Sequence, residues 1–272
     1  MHHFTIALST ADVSPVTAPI LLNGRIEDNL KKAAEMGFDG IEVHMREDHD
    51  LDIGSVREAM DRTGTKIAMV VTGRLNTEGG CSLIDDRPYV AAAAMAGMRR
   101  YVDIARALDA GLVIGWVKGE VPPGRARGPY MKRLGKALCE LSGYAGSVPL
   151  NIEAINRYET NIFNTAEETI SFIEEYGLSN CFVHLDTFHM NIEEADIAGA
   201  IRATGKMLGY FHVADNNRRA VGEGSLNFGS ILSALRDAGY KGYVSVECLP
   251  LPTGEAAAKA SLARLRELMS EM

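Results

Sequence analysis

The stretch from residue 148 to 251 decides the fold, because it contains the runs VPLNIE (148–153), CFVHLD (181–186), GYFHVAD (209–215) and GYVSVE (242–247). Each run is apolar and strand-forming, and each carries a carboxylate or an imidazole at or near its end. These four polar residues are Glu153, Asp186, His212 and Glu247, at intervals of 33, 26 and 35 residues. Each interval fits one strand–helix–strand repeat, and the strands of such repeats end on one face of a parallel sheet. The pattern therefore predicts that four metal-ligand side chains converge on that face.

The rest of the chain continues the same alternation. Apolar runs at 4–10, 38–45, 65–73 and 110–117 predict four earlier strands. The predicted helices are at about 25–36, 52–63, 87–108, 129–145, from 165 onward, 194–204, 227–238 and 254–269. Eight strand–helix units predict an α/β protein, a single (β/α)₈ TIM barrel over residues 1–272. An open doubly wound sheet is the alternative, but no GxGxxG follows the first strand and no P-loop occurs.

The composition excludes several classes of function. The chain has 272 residues, 46% of them apolar, and a net charge of −8. An acidic balance argues against nucleic-acid and anionic-membrane partners, which require clusters of Lys and Arg. No apolar run is long enough for a membrane helix, and the first residues show no signal peptide. The cysteines are far apart with no CxxC pair, which favours buried thiols in a reducing compartment and predicts a cytoplasmic location: Cys81, Cys139, Cys181 and Cys248.

The four strand-end residues indicate one divalent cation. Two Glu, one Asp and one His form an oxygen-rich donor set, which suits Mn²⁺, and also Co²⁺ or Mg²⁺, better than a structural zinc. A single carboxylate at a strand end is often only a helix cap or a solvated loop residue. Four such residues in register are better explained by an ion, which makes an enzyme the leading interpretation.

Other polar residues follow the predicted strands on the same face. His189 comes three residues after Asp186, and Arg218 carries a guanidinium suited to planar pairs of oxygens. Arg46 and Lys118 come after strands two and four, where we expect at least one of them to pair with a substrate carboxylate. Trp116, within strand four, is predicted to be a core residue rather than a wall of the site.

Four segments resemble one known group of enzymes: IEAINRYET (152–160), LDTFHMNIEE (185–194), FHVADNNR (211–218) and VSVECLPLP (244–252). They are similar to the ketose 3-epimerases of the xylose-isomerase-like barrels, which include D-tagatose and D-allulose 3-epimerases. The form HVADNNR with VECLPLP, together with LSTAD (8–12), resembles the 5-keto-L-gluconate epimerases still more closely. The resemblance implies a (β/α)₈ barrel, an ion of the Mn²⁺ type, and a homodimer or homotetramer.

Carried over by position, the resemblance assigns roles to individual residues. The family's metal ligands match Glu153, Asp186, His212 and Glu247, and its substrate contacts match Glu159, His189 and Arg218. One departure is that Cys248-Leu249-Pro250 follows Glu247, where epimerases of neutral ketoses usually have Pro-Phe. This difference argues against a neutral ketose and favours a keto-sugar acid such as 5-keto-L-gluconate or D-tagaturonate.

The expected reaction is inversion of the carbinol carbon beside a ketone through a cis-enediolate. Two opposed bases are needed, and Glu153 and Glu247 are the candidates. The alternatives are epimerisation of a neutral ketose, such as tagatose, allulose or ribulose, and aldose–ketose isomerisation of the hydroxypyruvate type. An apurinic-site endonuclease would require a zinc cluster rich in histidine and a basic DNA face, which an acidic chain with seven His does not offer. A non-catalytic carbohydrate-binding barrel is the remaining alternative.

Overall fold

A computed structural model describes residues 4–46 and 51–272, so the terminal His2 and His3 lie outside it. Eight parallel strands form the central sheet: β1 Thr5–Ala11, β2 Gly40–His44, β3 Lys66–Val71, β4 Gly111–Ile114, β5 Leu150–Glu153, β6 Cys181–Asp186, β7 Leu208–Val213 and β8 Tyr243–Val246. Each strand pairs with the next, and β1 also pairs with β8. The sheet is therefore a closed barrel, and the predicted TIM-barrel fold is confirmed. A two-residue strand, Leu22–Asn23, extends the edge beside β1.

Helices follow the strands and cover the outside of the barrel. They are α1 Ile26–Met36, α2 Ile53–Thr63, α3 Gly73–Thr77, α4 Pro88–Ala107, α5 Arg127–Ala145, α6 Ala166–Tyr176, α7 Thr187–Glu193, α8 Ile197–Thr204, α9 Phe228–Asp237 and α10 Gly254–Ser270. Side-chain caps start several of them; the Thr165 hydroxyl, for example, accepts a hydrogen bond from the Glu168 N–H. Within the described ranges, no helix combines the length and the apolar character that crossing a membrane requires.

Two local features differ from the prediction. The helix expected at 194–204 starts only at Ile197, as α8, and a separate helix that was not predicted, α7, begins directly after β6. The strand expected at 110–117 stops at Ile114, and Trp116–Lys118 forms a 3₁₀ turn. Trp116 is consequently half-buried at the end of the barrel, not in the core. Both differences occur just after a strand, where the chain forms the rim of the site.

The core has two layers that leave one end of the barrel polar. A large apolar cluster fills the space between the strands and the helices. A smaller one lies inside the barrel and includes Met69, Val71, Val113 and Tyr210. Ionisable side chains occupy the interior at the C-terminal ends of the strands. This is the end at which TIM barrels carry their active sites.

Candidate active site

The four predicted metal ligands converge at this end of the barrel. Glu153 and Asp186 are the last residues of β5 and β6. His212 lies in β7, and Glu247 directly follows β8. His212 Nδ1 is 3.7 Å from Asp186 Oδ2 and 3.4 Å from Glu247 Oε2. A carboxylate oxygen of Glu153 lies within 4.8 Å of a ligand atom of Asp186 and of His212.

His212 is held by a buried carboxylate in the orientation that a metal ligand needs. Its Nε2 is 2.7 Å from Glu42 Oε2, which also accepts hydrogen bonds from the hydroxyls of Tyr210 (2.7 Å) and Ser245 (3.0 Å). The other ring nitrogen, Nδ1, is buried and has no hydrogen-bond partner among the described residues. Metal-binding histidines commonly use one nitrogen for a supporting carboxylate and the other for the ion. The donor set therefore fits a divalent cation.

Negative charge is concentrated around this imidazole. Burial opposes ionisation of Asp186, but Arg218, whose Nη1 donates to Asp186 Oδ2 at 2.5 Å, holds the pKa of that carboxyl well below its usual range. Arg218 Nη2 also pairs with Glu247. Burial opposes charge on His212 as well, yet Glu42 and Glu247 raise its pKa well above the ordinary histidine value. The carboxylates of Glu42, Asp186 and Glu247 thus lie around His212, and Arg218 pairs with two of them, Asp186 and Glu247. A bound cation would reduce the repulsion between these carboxylates.

Glu153 occupies a confined position beside the end of β4. A Cβ on Gly115 would lie 2.9 Å from Glu153 Oε2, so glycine leaves the space for this carboxylate. Its other oxygen, Oε1, is 3.7 Å from His189 Nε2. Burial, reinforced by the negative charge of Glu247, raises the pKa of Glu153 to about 8. The backbone at Gly115 and the imidazole of His189 thus fix the side chain from two directions.

The tautomer of His189 follows from its contacts. The Asn156 amide is oriented because its Oδ1 accepts from the Tyr158 N–H and its Nδ2 donates to Glu159 Oε1. The same Nδ2 is 2.7 Å from His189 Nδ1, which must therefore be the acceptor. Burial lowers the pKa of His189 to about 3, so the ring is neutral and carries its proton on Nε2. This N–H lies on the side of the ring that faces Glu153.

A cavity of about 540 Å³ opens over these residues. Its polar lining includes the predicted Glu153, Glu159, His189, Arg218 and Glu247, together with His44 and Arg74. Trp116, Phe188 and Leu249 contribute apolar wall, which corrects the expectation that Trp116 belongs to the core. The volume falls within the range of small-molecule sites, about 300–1,000 Å³.

The two residues predicted to pair with a substrate carboxylate are placed differently. Lys118 is 0% exposed, and its Nζ donates to the Gly115 carbonyl at 3.3 Å. Burial lowers the pKa of Lys118 to about 8, although the nearby carboxylate of Glu153 favours the charged form. Arg46 pairs with Asp12. Neither Lys118 nor Arg46 is among the described residues that line the cavity.

The sequence prediction missed Glu42, His44, Asn156 and Arg74. Glu42 and His44 did leave a signal, because they alternate within β2 and so point to the same, interior side of the barrel. Ionisable residues on the interior face of a barrel strand are uncommon unless they have partners there. Arg74 left no comparable signal, since its position depends on the short helix α3, which was not predicted.

Comparison with known proteins identifies relatives across nearly the whole chain. A family model described as xylose isomerase-like TIM barrel matches residues 30–268. An L-ribulose 3-epimerase of Mesorhizobium japonicum is 35% identical over 228 residues, covering 82% of this chain and 75% of the relative. A D-psicose 3-epimerase of Agrobacterium fabrum is 32% identical over 228 residues, covering 80% and 77%. A solved structure of L-ribulose 3-epimerase superposes with a TM-score of 0.86 at 26% identity, covering 99% of this chain and 95% of that one.

Proposed function

The chain belongs to the xylose isomerase-like TIM barrel family, and we propose that it inverts the carbinol carbon next to the ketone of a ketose or keto-sugar acid. Its relatives are sugar epimerases, and this chain is an enzyme of the same ketose epimerase type. The proposed substrate is a keto-sugar acid of the 5-keto-L-gluconate or D-tagaturonate kind. A homodimer or homotetramer, a single domain over 1–272 and a cytoplasmic location stay predictions from the sequence.

One observation carries the proposed mechanism: Glu153 and Glu247 both line the cavity from strands three positions apart in the barrel, with Asp186 and His212 on the strands between them. In the proposed reaction one glutamate removes the proton from the carbon beside the ketone. The electron pair of that C–H bond forms a double bond between the two carbons, and the π pair of the carbonyl moves onto its oxygen, which gives the enediolate. The second glutamate then donates a proton to the opposite face of the same carbon. The ketone does not move, and one stereocentre is inverted.

The remaining polar groups fit the charge that develops during this step. Glu153, Asp186, His212 and Glu247 would hold one divalent cation, which we propose to be Mn²⁺. When bound, such an ion supplies positive charge that stabilises the enediolate oxygens. The neutral His189 presents its Nε2–H, and Arg218 its guanidinium, as donors for the same oxygens. Glu159 at the cavity wall can accept a hydrogen bond from a substrate hydroxyl.

Two other reactions use the same residues. Epimerisation of a neutral ketose differs only in the part of the substrate that lies away from the reacting carbon. Aldose–ketose isomerisation of the hydroxypyruvate type returns the proton to the neighbouring carbon instead. Turnover in D₂O separates epimerisation from isomerisation, because an epimerase places deuterium on the inverted carbon and leaves the ketone in place, and assays on acidic and neutral ketoses separate the two substrate classes.

Substitution of each proposed base tests the mechanism. In Glu153→Gln and Glu247→Gln the side chain keeps its size but cannot take a proton, so kcat should fall by about 10²–10⁴-fold. Calorimetry should still detect Mn²⁺ binding, with weakened affinity, because the other ligands remain. Glu140→Gln, on the exposed side of α5, is the matched control and should behave as the unmodified enzyme. If either active-site variant keeps full activity, the two-base mechanism is wrong.

A further inference from the structure

Arg74 is a second arginine in the cavity, and it lies across the barrel from Arg218. It belongs to α3, which follows β3, whereas Arg218 lies in the loop after β7. In a closed barrel of eight strands, β3 and β7 are four positions apart and therefore on opposite sides. Both side chains line the same cavity. A ligand whose reacting end contacts Arg218 and the predicted metal ligands would extend towards Arg74.

The Arg74 guanidinium is fixed by contacts on two of its three nitrogens. Its Nε donates to Glu78 Oε1 at 2.7 Å, and its Nη1 donates to Asp12 Oδ1 at 2.7 Å and to the His44 carbonyl at 3.3 Å. Its Nη2 makes no hydrogen bond to any residue in the described part of the chain. The group is thus held rigidly, and one nitrogen with two N–H donors is left over.

The charges around Arg74 leave it able to bind an anion. Asp12 is shared, because its Oδ2 pairs with Arg46 while its Oδ1 pairs with Arg74. The Glu78 side chain is 46% exposed, so water screens its charge. One shared carboxylate and one solvated carboxylate do not saturate the guanidinium of Arg74, whose own side chain is only 10% exposed. A further carboxylate arriving from the cavity would gain a charge-assisted hydrogen bond.

We propose that Arg74 binds the carboxylate of the substrate through Nη2 and makes the enzyme selective for a keto-sugar acid. This inference rests on the proposed epimerase function and assigns its substrate class. The sequence placed this role on Arg46 or Lys118, but neither of them is among the described residues lining the cavity, and Lys118 is fully buried. Trp116 and Phe188 line the same cavity, and their apolar surface suits the carbon chain of a sugar.

Paired substrates test this proposal. The Mn²⁺-loaded wild type, Arg74→Gln and Arg74→Lys should be assayed on 5-keto-L-gluconate and D-tagaturonate, and on the neutral ketoses D-tagatose and D-allulose. Removing one charge-assisted hydrogen bond should lower kcat/KM for the acids roughly 10- to 100-fold more than for the neutral ketoses, mainly through KM. Arg74→Lys should lie in between, because it keeps the charge but loses the fixed fork.

Two control variants separate the alternatives. Arg106→Gln removes a surface arginine that, like Arg74, donates to a carboxylate and to a backbone carbonyl. It should change kcat/KM for neither the acids nor the neutral ketoses. Arg46→Gln removes the other arginine that pairs with Asp12 and tests whether Arg46, rather than Arg74, binds the substrate carboxylate. An acid-selective loss in Arg46→Gln but not in Arg74→Gln would overturn the proposal, as would equal losses of Arg74→Gln on acids and neutral ketoses. Thermal melting of each variant identifies losses that are due to unfolding.

A binding measurement keeps the proposal separate from the proposed function. Calorimetry with D-gluconate and with its uncharged analogue D-glucitol requires no turnover. We expect Arg74→Gln to weaken gluconate binding more than glucitol binding, by the same factor as in the kinetics. If the wild type turned over no ketose at all, the epimerase function would fail, and gluconate binding would still decide whether Arg74 recognises a carboxylate. Gluconate affinity that does not depend on Arg74 would overturn the inference on its own.

Discussion

Glu42 is not among the described residues that line the cavity, yet it determines which nitrogen of His212 faces the ligand site. It is fully buried, and burial would raise the pKa of its carboxyl. The interactions with His212 and His44 outweigh burial and hold the pKa of Glu42 well below its usual range. An ionised Glu42 accepts the proton on Nε2, so Nδ1 is the nitrogen whose proton an ion would displace on binding.

Replacement of Glu42 should lower the affinity of the metal site although none of the four proposed ligands is changed. In Glu42→Gln, the side chain loses its charge and keeps only one acceptor oxygen for the donors His212, Tyr210 and Ser245. Its new NH₂ group is itself a donor and cannot accept the proton on His212 Nε2. We expect the affinity for Mn²⁺ to fall about 10- to 100-fold. Titration calorimetry of protein freed of metal with EDTA measures this change directly.

The control for this substitution is Glu27→Gln, which removes the charge of a partly buried glutamate that pairs with Arg25 and is not among the described residues that line the cavity. It should bind Mn²⁺ as the wild type does. A Glu42→Gln protein with unaltered Mn²⁺ affinity would show that His212 does not depend on Glu42 for its orientation. It would also remove the main structural support for His212 as a ligand.

At the scale of elements, the loop between β7 and α9 positions Arg218 through its backbone. Arg218 has a positive φ of 61°, a left-handed conformation that residues other than glycine rarely adopt. The Asp215 carboxylate holds the rest of the loop, accepting backbone N–H groups from Gly222, Gly224 and Leu226. The Leu249 N–H donates to the Arg218 carbonyl, which ties the loop to the segment after β8. Strained backbone of this kind persists only where surrounding contacts enforce it.

Loss of the Asp215 carboxylate should therefore reduce both stability and activity. Asp215→Ala removes the acceptor of the Gly222, Gly224 and Leu226 N–H groups, which costs about 0.5–1.5 kcal/mol for each hydrogen bond lost. We expect kcat/KM to fall by about 10²-fold, because Arg218 shifts relative to Asp186 and Glu247. Chemical denaturation and steady-state kinetics measure the two effects.

A cap at the end of the same loop provides the control. The Asn227 side chain accepts from the Ser230 N–H at the start of α9, and Asn227→Ala should cost about 1 kcal/mol. Because Asn227 does not hold Arg218, its loss should leave kcat/KM close to that of the wild type. Equal activity losses in both variants would mean that the loop acts only through general stability.

The short helix α7 shows why a strand-end carboxylate can have two uses. Asp186 Oδ1 accepts from the Phe188 N–H and so caps α7, while Oδ2 faces His212 and Arg218. A helix cap and a metal ligand were alternative interpretations of such a residue, but one oxygen forms the cap and the other remains directed at the proposed metal site. The cap also starts α7 immediately, which carries His189 into the cavity one turn after Asp186.

For the molecule as a whole, the sequence was sufficient to predict those features whose signal repeats along the chain. Alternating strands and helices predicted the barrel, and four polar strand ends predicted the side chains that meet around His212. Polar contacts between distant segments were not predictable in the same way. The Asp12–Arg74 pair joins residues 62 positions apart, and its geometry depends on how β1 and α3 pack. No local pattern records such a contact, so the sequence offered Arg46 or Lys118 as the partner of a substrate carboxylate and did not suggest Arg74.

The proposed ion would join strands from one half of the barrel, so its removal should affect the stability of the whole fold. Glu153, Asp186, His212 and Glu247 come from or directly follow β5 to β8, and three of them are carboxylates that repel each other. An ion that binds only the folded chain stabilises it by about 2.7 kcal/mol at a free concentration of 100 Kd. For a chain of this size we expect Tm to fall by roughly 5–10 °C when EDTA removes Mn²⁺.

The same melting measurement can distinguish a specific site from general binding to an acidic surface. Adding back Mn²⁺ should restore Tm with a dependence on log concentration, because the stabilisation grows as RT ln(1 + [Mn²⁺]/Kd). In Asp186→Asn this dependence should shift to higher Mn²⁺ concentrations, since one ligand charge is lost. In Asp103→Asn, a surface carboxylate on α4, it should be unchanged. A Tm that responds to Mn²⁺ equally in both variants would place the ion elsewhere on the protein, and the four-ligand site would be wrong.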